Sequence, residues 1–349
     1  MHRLFFVLIL LIATNGFAAD VTHLYQSEKA VLSQSEAERQ SISADVLRQV
    51  LLKVIGDAPL LDKTDISAIL AQSNQLVQRY EYQRTNAIAD DLTEPDRLEV
   101  VLTFNQLGVN EALQAAGLPI WGASRPETLV WFAIEKGDKR TVMGADTQGE
   151  LLQTLTEAAY DRGLPLLLPV MDLQDQSQVT FADISADFSQ TIESASQRYG
   201  SQVVLMALAK YYPDGNVSVR WHALISGESE HWQSRGGEED AILAGVDELS
   251  NRLSRRFAQR ERLVDTDQKL SLLITEVTDY QDYSRIVNYL NKLQYASEVQ
   301  VTNLAGNTLE LTMKFSGDID VFSRTVAIDR VLIKEPYSPT ETMNFRLLP

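Results

Sequence analysis

Apolar and polar positions follow first a helical period and then a strand period in the first third of the chain. Apolar residues recur every three or four positions over residues 42–55, and Gly56 follows them, which is the pattern of an amphipathic helix and its end. Segments 76–84 and 97–104 instead alternate apolar and polar residues, as half-buried antiparallel strands do. After a short helix through Leu70 and these strands, a further helix ending at Gly117 completes a predicted α+β domain.

Helical and strand patterns alternate through the middle third, which favours a sheet covered by helices on both faces. The apolar run at 202–211 does not alternate, as expected for a strand that is buried on both sides. The predicted elements are, in order, a strand at 128–135, a helix at 147–163, a strand at 164–173, a helix at 184–200, a strand at 202–211, a hairpin at 217–225 and 230–237, and a helix at 238–262.

In the last third the patterns predict the order β-α-β-β-α-β, which is the ferredoxin-like order. We therefore predict a multidomain protein of α/β and α+β class. It has an N-terminal α+β domain at 19–118, a middle three-layer α/β domain at 126–262, a ferredoxin-like domain at 268–336 and a C-terminal tail at 337–349.

The first 18 residues have the features of a secretory signal peptide. Arg3 is followed by an apolar run over residues 4–13, and Gly16-Phe17-Ala18 is a small-x-small cleavage site. This run is too short to span a bilayer, and no later stretch is long and apolar enough. We predict cleavage after Ala18 or Ala19, and a periplasmic protein without a transmembrane segment.

The composition of the chain excludes several classes of function. The chain has no cysteine, which excludes disulfides, thiol nucleophiles and thiolate metal sites. Its net charge is −17, and loss of the signal peptide with Arg3 would make it one unit more negative. An acidic surface repels phosphate groups, so we predict no binding to nucleic acid or to anionic lipid headgroups.

The segment LPIWGASRPETLVWFAIE at residues 118–135 is rich in bulky side chains. It lies between a predicted helix end and a predicted strand, so Trp121 is best explained as an anchor packed at a domain junction. The alternative is a ligand-binding cleft between domains, in which Trp121 and Arg125 contact the ligand. We keep both residues as candidate interaction residues.

Two histidines fall on the predicted middle hairpin. A turn centred on Ser226-Gly227 places His222 opposite His231 and Trp221 opposite Trp232. Side chains of directly opposed residues lie about 4.5–5.5 Å apart at Cβ, which is close enough to stack or to share a metal ion.

Two ligands do not make a zinc site, and a third would have to come from elsewhere, such as Glu228 or Glu230. We therefore predict no metal site and keep His222 and His231 only as a weak candidate pair. The alternative interpretation is a solvent-facing histidine pair above an inward tryptophan pair.

Arginines cluster near the end of the last helix of the middle domain. Arg252, Arg256 and Arg260 share one helical face and could receive an anionic partner. The favoured interpretation is that they complement the helix dipole and pair with nearby acids such as Asp247 and Glu248.

Catalytic and cofactor motifs are missing from the sequence. There is no G-x-S-x-G elbow, no S-x-x-K set and no glycine-rich phosphate loop, so we predict no catalytic residues and no cofactor. Acidic pairs could act as glycosidase carboxylates, but they are more simply explained as helix caps and loop residues. These pairs are Asp90/Asp91, Asp172/Asp175 and Asp183/Asp187.

The signal peptide, AGLPIWGASRPETLVWFAIE, LPLLLPVMDLQD and VTDYQDYSRIVNYLNKLQYASEVQVTNLAGNTLELTM together resemble a family of exported Gram-negative proteins, catalogued as domain of unknown function 2066. The resemblance covers nearly the whole mature chain. It implies a periplasmic protein, and because the family has no established activity it implies no catalytic residue.

Export, several small domains and few catalytic groups favour one function over the others. We predict a non-enzymatic periplasmic adaptor or scaffold that binds a cell-envelope partner. The alternative is a binding module for a cell-wall glycan or small envelope ligand, and the third hypothesis is a periplasmic hydrolase.

Overall fold

The computed structural model describes residues 19–85, 97–258, 268–293, 296–315, 319–329, 331–335 and 342–348. Helices and strands intermix throughout these ranges, so the predicted mixed α/β class is confirmed. The predicted signal peptide, the Asp90/Asp91 pair and Arg260 lie outside the described residues. Among the described residues, no helix combines the length and the apolar character needed to cross a membrane.

The first region packs a long helix, α1, against a three-stranded antiparallel sheet in the order β2-β4-β3. Ser35 caps α1 by accepting a hydrogen bond from the Glu38 amide, and Gly56 ends it in the left-handed conformation at φ 73°. The elements are β1 (Ala19–Asp20), β2 (Gln26–Ala30), α1 (Glu36–Ile55), α2 (Ala58–Lys63), α3 (Ser67–Leu70), α4 (Ser73–Leu76), β3 (Val77–Thr85), β4 (Arg97–Phe104) and α5 (Gln106–Ala115).

The middle region consists of one sheet with its covering helices, preceded by the short strand β5, which pairs with β1 in a separate two-stranded sheet. These elements are β5 (Ser124–Arg125), β6 (Thr128–Lys136), β7 (Lys139–Val142), α6 (Glu150–Asp161), β8 (Leu166–Leu167), α7 (Leu173–Gln178), α8 (Phe181–Ser185), α9 (Ser189–Ser196), β9 (Val203–Tyr211), β10 (Val217–Ile225), β11 (Glu228–Gly236) and α10 (Glu238–Phe257).

The main sheet of this region has the order β11-β10-β9-β6-β7, and β8 pairs with β6. Side chains of α6 and α10 share one core with Phe132 and Trp221 of the sheet. Side chains of α8 and α9 share a second core with Trp131 and Met206. Both faces of the sheet are therefore buried, which explains why β9 is apolar without alternation.

Three predicted elements of the middle region differ from the structure. The predicted strand at 164–173 contributes only Leu166 and Leu167 to the sheet, and prolines on either side limit its pairing. The predicted helix at 184–200 is interrupted, because Asp187 has a positive φ of 61° between α8 and α9. The last helix ends at Phe257 rather than at 262, since Ala258 is extended.

The last region is a five-stranded sheet in the order β13-β14-β12-β16-β15. The segment predicted as a tail supplies β16, which pairs in parallel with β12 and separates it from β15. Phe345 and Leu347 of β16 are buried, so the gain in apolar burial explains the insertion. The elements are β12 (Gln268–Thr275), α11 (Tyr280–Lys292), β13 (Ala296–Ala305), β14 (Thr308–Phe315), α12 (Ile319–Ile328), β15 (Leu332–Lys334) and β16 (Thr342–Leu347).

Candidate functional site

The junction residues Trp121 and Arg125 are both buried, with 1% and 0% of their surface exposed. Trp121 packs in the core of the middle region, whereas its neighbour Ile120 packs in the core of the first region. The Arg125 guanidinium lies 4.0 Å from the centroid of the Trp121 ring. Neither side chain is accessible to a ligand in this arrangement, which favours the domain-junction interpretation of Trp121 over a ligand contact.

Arg125 is held by main-chain carbonyl groups from both sides of the junction. Burial lowers the pKa of Arg125 to about 9, while nearby Tyr25 acts in the opposite direction, so the side chain remains a cation at neutral pH. The guanidinium donates hydrogen bonds to the carbonyl oxygens of Lys53, Trp121, Gly122, Arg162 and Gly163.

The basic cluster near the end of α10 is paired with glutamates. Arg252 contacts Glu230 at 2.6 Å and Glu248 at 2.8 Å, and Arg256 contacts Glu228 at 2.9 Å. This agrees with the structural interpretation of the cluster. It also removes Glu228 and Glu230 as third metal ligands, because both carboxylates are bound to arginines.

The predicted hairpin register is confirmed: His222 pairs with His231, and Trp221 pairs with Trp232. The two imidazole rings are stacked, with centroids 3.8 Å apart and planes 24° from parallel. The expectation of a solvent-facing histidine pair is wrong for His222, which is 5% exposed. The helical layer of α8 and α9 lies on that face of the sheet and covers it.

Asp187 completes a cluster with the two histidines. Its Oδ1 lies 2.5 Å from His222 Nδ1, and its Oδ2 lies 3.2 Å from His231 Nε2. The Nε2 atom of His222 is buried, and none of the described residues hydrogen-bonds to it. Of the two ring nitrogens of His222, only Nδ1 contacts the carboxylate.

The backbone around Asp187 explains how the carboxylate reaches the sheet. Asp187 follows the end of α8 in the left-handed conformation, where glycine is the usual residue. The amide of Phe188 donates to the carbonyl oxygen of Asp183 at 2.9 Å, which closes this turn. Arg220 of β10 donates to the Ser185 carbonyl oxygen at 2.6 Å and ties the end of α8 to the hairpin.

Partial burial raises the pKa of Asp187, but hydrogen bonds and charge interactions with His222 and His231 outweigh burial and hold that pKa below its usual value. Asp187 is therefore a carboxylate at neutral pH. The cluster combines a buried imidazole, an exposed imidazole and an ionised carboxylate.

The other described acidic pairs cap helices or bind nearby side chains such as Arg198. Asp172 caps α7, and Asp183 forms a capping box with Thr180 at the start of α8. Asp175 is buried and accepts a hydrogen bond from the Tyr199 hydroxyl. Sequence reasoning grouped Asp187 with these residues, and no local signal connected it with histidines more than thirty residues away.

The comparison with protein families corrects the family resemblance. Residues 18–122 match a family model described as "Domain of unknown function (DUF8605)". The resemblance to domain of unknown function 2066 is wrong, because the model that matches belongs to a different family and covers the first region only. The description gives no activity, so no site residue is carried over. No curated protein matches the chain significantly.

Several solved structures are similar to part of the chain. A competence or damage-inducible protein from Enterobacter asburiae is 15% identical, covers 42% of this chain and 92% of its own, and has a TM-score of 0.22. A competence-damaged protein (CinA) superfamily protein from Enterobacter cloacae is 17% identical, with coverages of 41% and 84% and a TM-score of 0.21. Scores this low establish neither a shared fold nor a shared function.

Proposed function

We propose that this protein is an exported, non-enzymatic periplasmic adaptor that binds a cell-envelope protein through strand β13 of the last region. The exposure of β13 is the observation that supports this proposal. Among the strands that the structure describes, β13 is the outermost of its sheet, and every residue from Gln300 to Ala305 is exposed.

The exposed part of β13 carries apolar side chains. Val301 is 37% exposed and Leu304 is 54% exposed. An outer strand presents unpaired backbone groups, and soluble proteins usually protect such an edge with charges, prolines or bulges. An edge that combines free backbone groups with apolar side chains suits the addition of an extended segment from a partner.

The pairing of β13 with β14 is also irregular. The register shifts between Ser297 and Gln300 and again between Val301 and Asn303. Bulges of this kind twist an edge and limit uncontrolled pairing with other chains. We therefore propose one defined partner segment, extended and with apolar side chains at alternate positions.

We propose different roles for the three predicted domains. The first and middle regions are joined by buried contacts at Trp121 and Arg125, and we propose that they form the scaffold that carries the partner-binding last region. The glycan-binding alternative loses its support, because it relied on these two buried residues as ligand contacts.

Photo-cross-linking in intact cells tests the adaptor proposal. A photoreactive amino acid placed at Thr302 of β13 is expected to capture one dominant envelope protein. The same group at Gln233, on the outer and largely polar strand β11, is the matched control and is expected not to capture it. Leu304→Lys should abolish the adduct without changing the melting temperature, because Leu304 is exposed.

Equal capture at Thr302 and Gln233, or capture that survives Leu304→Lys, would contradict the proposed surface. Recovery of glycan fragments alone would support the glycan-binding alternative. Export is tested separately by measuring the mass of the protein released from the periplasm, which is expected to begin after Ala18 or Ala19.

A further inference from the structure

We propose that Asp187, His222 and His231 form a binding site for one divalent transition-metal ion of the Zn²⁺ type. The three side chains come from the α8–α9 turn, β10 and β11, and each offers one ligand atom within 4.8 Å of the others. The inference is independent of the adaptor proposal, because it concerns a different region and a different ligand.

The ligand atoms of both histidines already face the same carboxylate group. His222 Nδ1 and His231 Nε2 both face the Asp187 carboxylate, at 2.5 and 3.2 Å. A bound Zn²⁺ ion lies about 2.0–2.2 Å from nitrogen and carboxylate-oxygen ligands. Small rotations of the exposed His231 and of Asp187 would open enough space for an ion between the three atoms.

The chemistry of these ligands selects the class of metal. Two imidazoles and one carboxylate suit Zn²⁺ and its first-row neighbours, whereas Mg²⁺ and Ca²⁺ prefer oxygen ligands alone. The Asp187 carboxylate supplies negative charge, which partly neutralises the bound cation.

The arrangement leaves one side of the site open. The His231 side chain is 52% exposed and that of Asp187 is 33% exposed, against 6% for His222. A metal ion can therefore enter from solvent and complete its coordination with water.

Two features make the site weaker than a closed structural zinc site. It has three protein ligands rather than four. Coordination also moves the proton of His222 from Nδ1 to Nε2, where none of the described residues accepts it.

Calorimetric titration of the full mature chain with Zn²⁺ tests the site. Excess Mg²⁺ is included to occupy exposed carboxylates, which are numerous in a chain with 48 Asp and Glu residues. We expect one Zn²⁺ per chain. His231→Ala and Asp187→Asn should each weaken binding at least tenfold, and His23→Ala is the matched control because His23 lies outside the cluster and should leave binding unchanged.

Nitrogen NMR of the histidines provides a readout that does not depend on mutation. Zn²⁺ should shift the Nδ1 signal of His222 and the Nε2 signal of His231, and should leave His23 unchanged. No saturable binding by the wild-type protein would overturn the proposal. Equal affinity of the wild type and His231→Ala, or shifts that spare both clustered histidines, would also overturn it.

Discussion

The guanidinium of Arg125 donates a 2.5 Å hydrogen bond from Nη2 to the main-chain carbonyl oxygen of Lys53, near the end of α1. This contact joins two residues that are 72 positions apart. It belongs to a buried set of five carbonyl acceptors around one cation, which connects the first and middle regions.

Replacing Arg125 with methionine should destabilise the protein strongly. The carbonyl groups would lose their donor in a buried site, and each unsatisfied group costs about 1–3 kcal/mol, so we expect a total loss of roughly 3 kcal/mol or more. Urea unfolding followed by tryptophan fluorescence measures the loss, because the four tryptophans lie at or beyond the junction, at positions 121, 131, 221 and 232.

The control for this change is Arg79→Met. Arg79 is 64% exposed and pairs with exposed Glu81, so its loss should cost no more than about 1 kcal/mol. Similar losses for the two variants would contradict a structural role of the buried guanidinium.

Gly245→Ala should destabilise the protein although alanine favours helices. Gly245 lies in α10, and a Cβ atom there would fall 2.2 Å from Cε2 and Cζ2 of Trp221. Overpacking costs about 1–3 kcal/mol, which exceeds the gain of up to about 1 kcal/mol from replacing a helical glycine.

A double-mutant cycle identifies the cause of this loss. Trp221→Leu removes the indole atoms that the new Cβ would meet, so Gly245→Ala should cost at least about 1 kcal/mol less in that background. Additive effects in urea unfolding would show that the overlap with Trp221 is not responsible.

Phe345→Ala should destabilise the last region by about 3–5 kcal/mol, because Phe345 is fully buried beside Phe322. Faster hydrogen exchange of the β12 amides, which pair with β16, measures the effect. Arg346→Ala is the control, because the Arg346 side chain is 46% exposed and should contribute less than about 1 kcal/mol to stability. Equal exchange in the two variants would mean that β16 is not part of the sheet in solution.

Asp187→Ala should be less stable than Asp187→Gly by about 1 kcal/mol, because a residue with a Cβ atom is strained in the left-handed conformation. Both variants lose the same hydrogen bonds to histidine, so their difference isolates the backbone effect. At Glu157, an exposed position of helix α6, the order should reverse, with glycine less stable than alanine by about 1 kcal/mol. Thermal unfolding of the four variants provides the comparison. If alanine were more stable than glycine at position 187 as well, the left-handed turn would be contradicted.

Elements with a local cause could be predicted from the order of residues alone. Helix α1 follows from the spacing of its apolar residues and from Gly56, and the His222–His231 register follows from the turn at Ser226-Gly227. The mixed α/β class follows from the same periodicities. Each of these features depends on neighbouring positions along the chain, so the order of residues contains the information.

Contacts between distant groups, in contrast, became visible only in the folded chain. Asp187 reaches the histidines because a turn outside the hairpin folds over one face of the sheet, and β16 enters its sheet because Phe345 gains more burial there than in a free tail. The buried position of Arg125 is explained by its hydrogen bonds to main-chain carbonyl groups. Every residue carries such a group, so no sequence pattern indicates which of them will bind the guanidinium. These contacts depend on how the layers pack, and packing is a property of the whole chain.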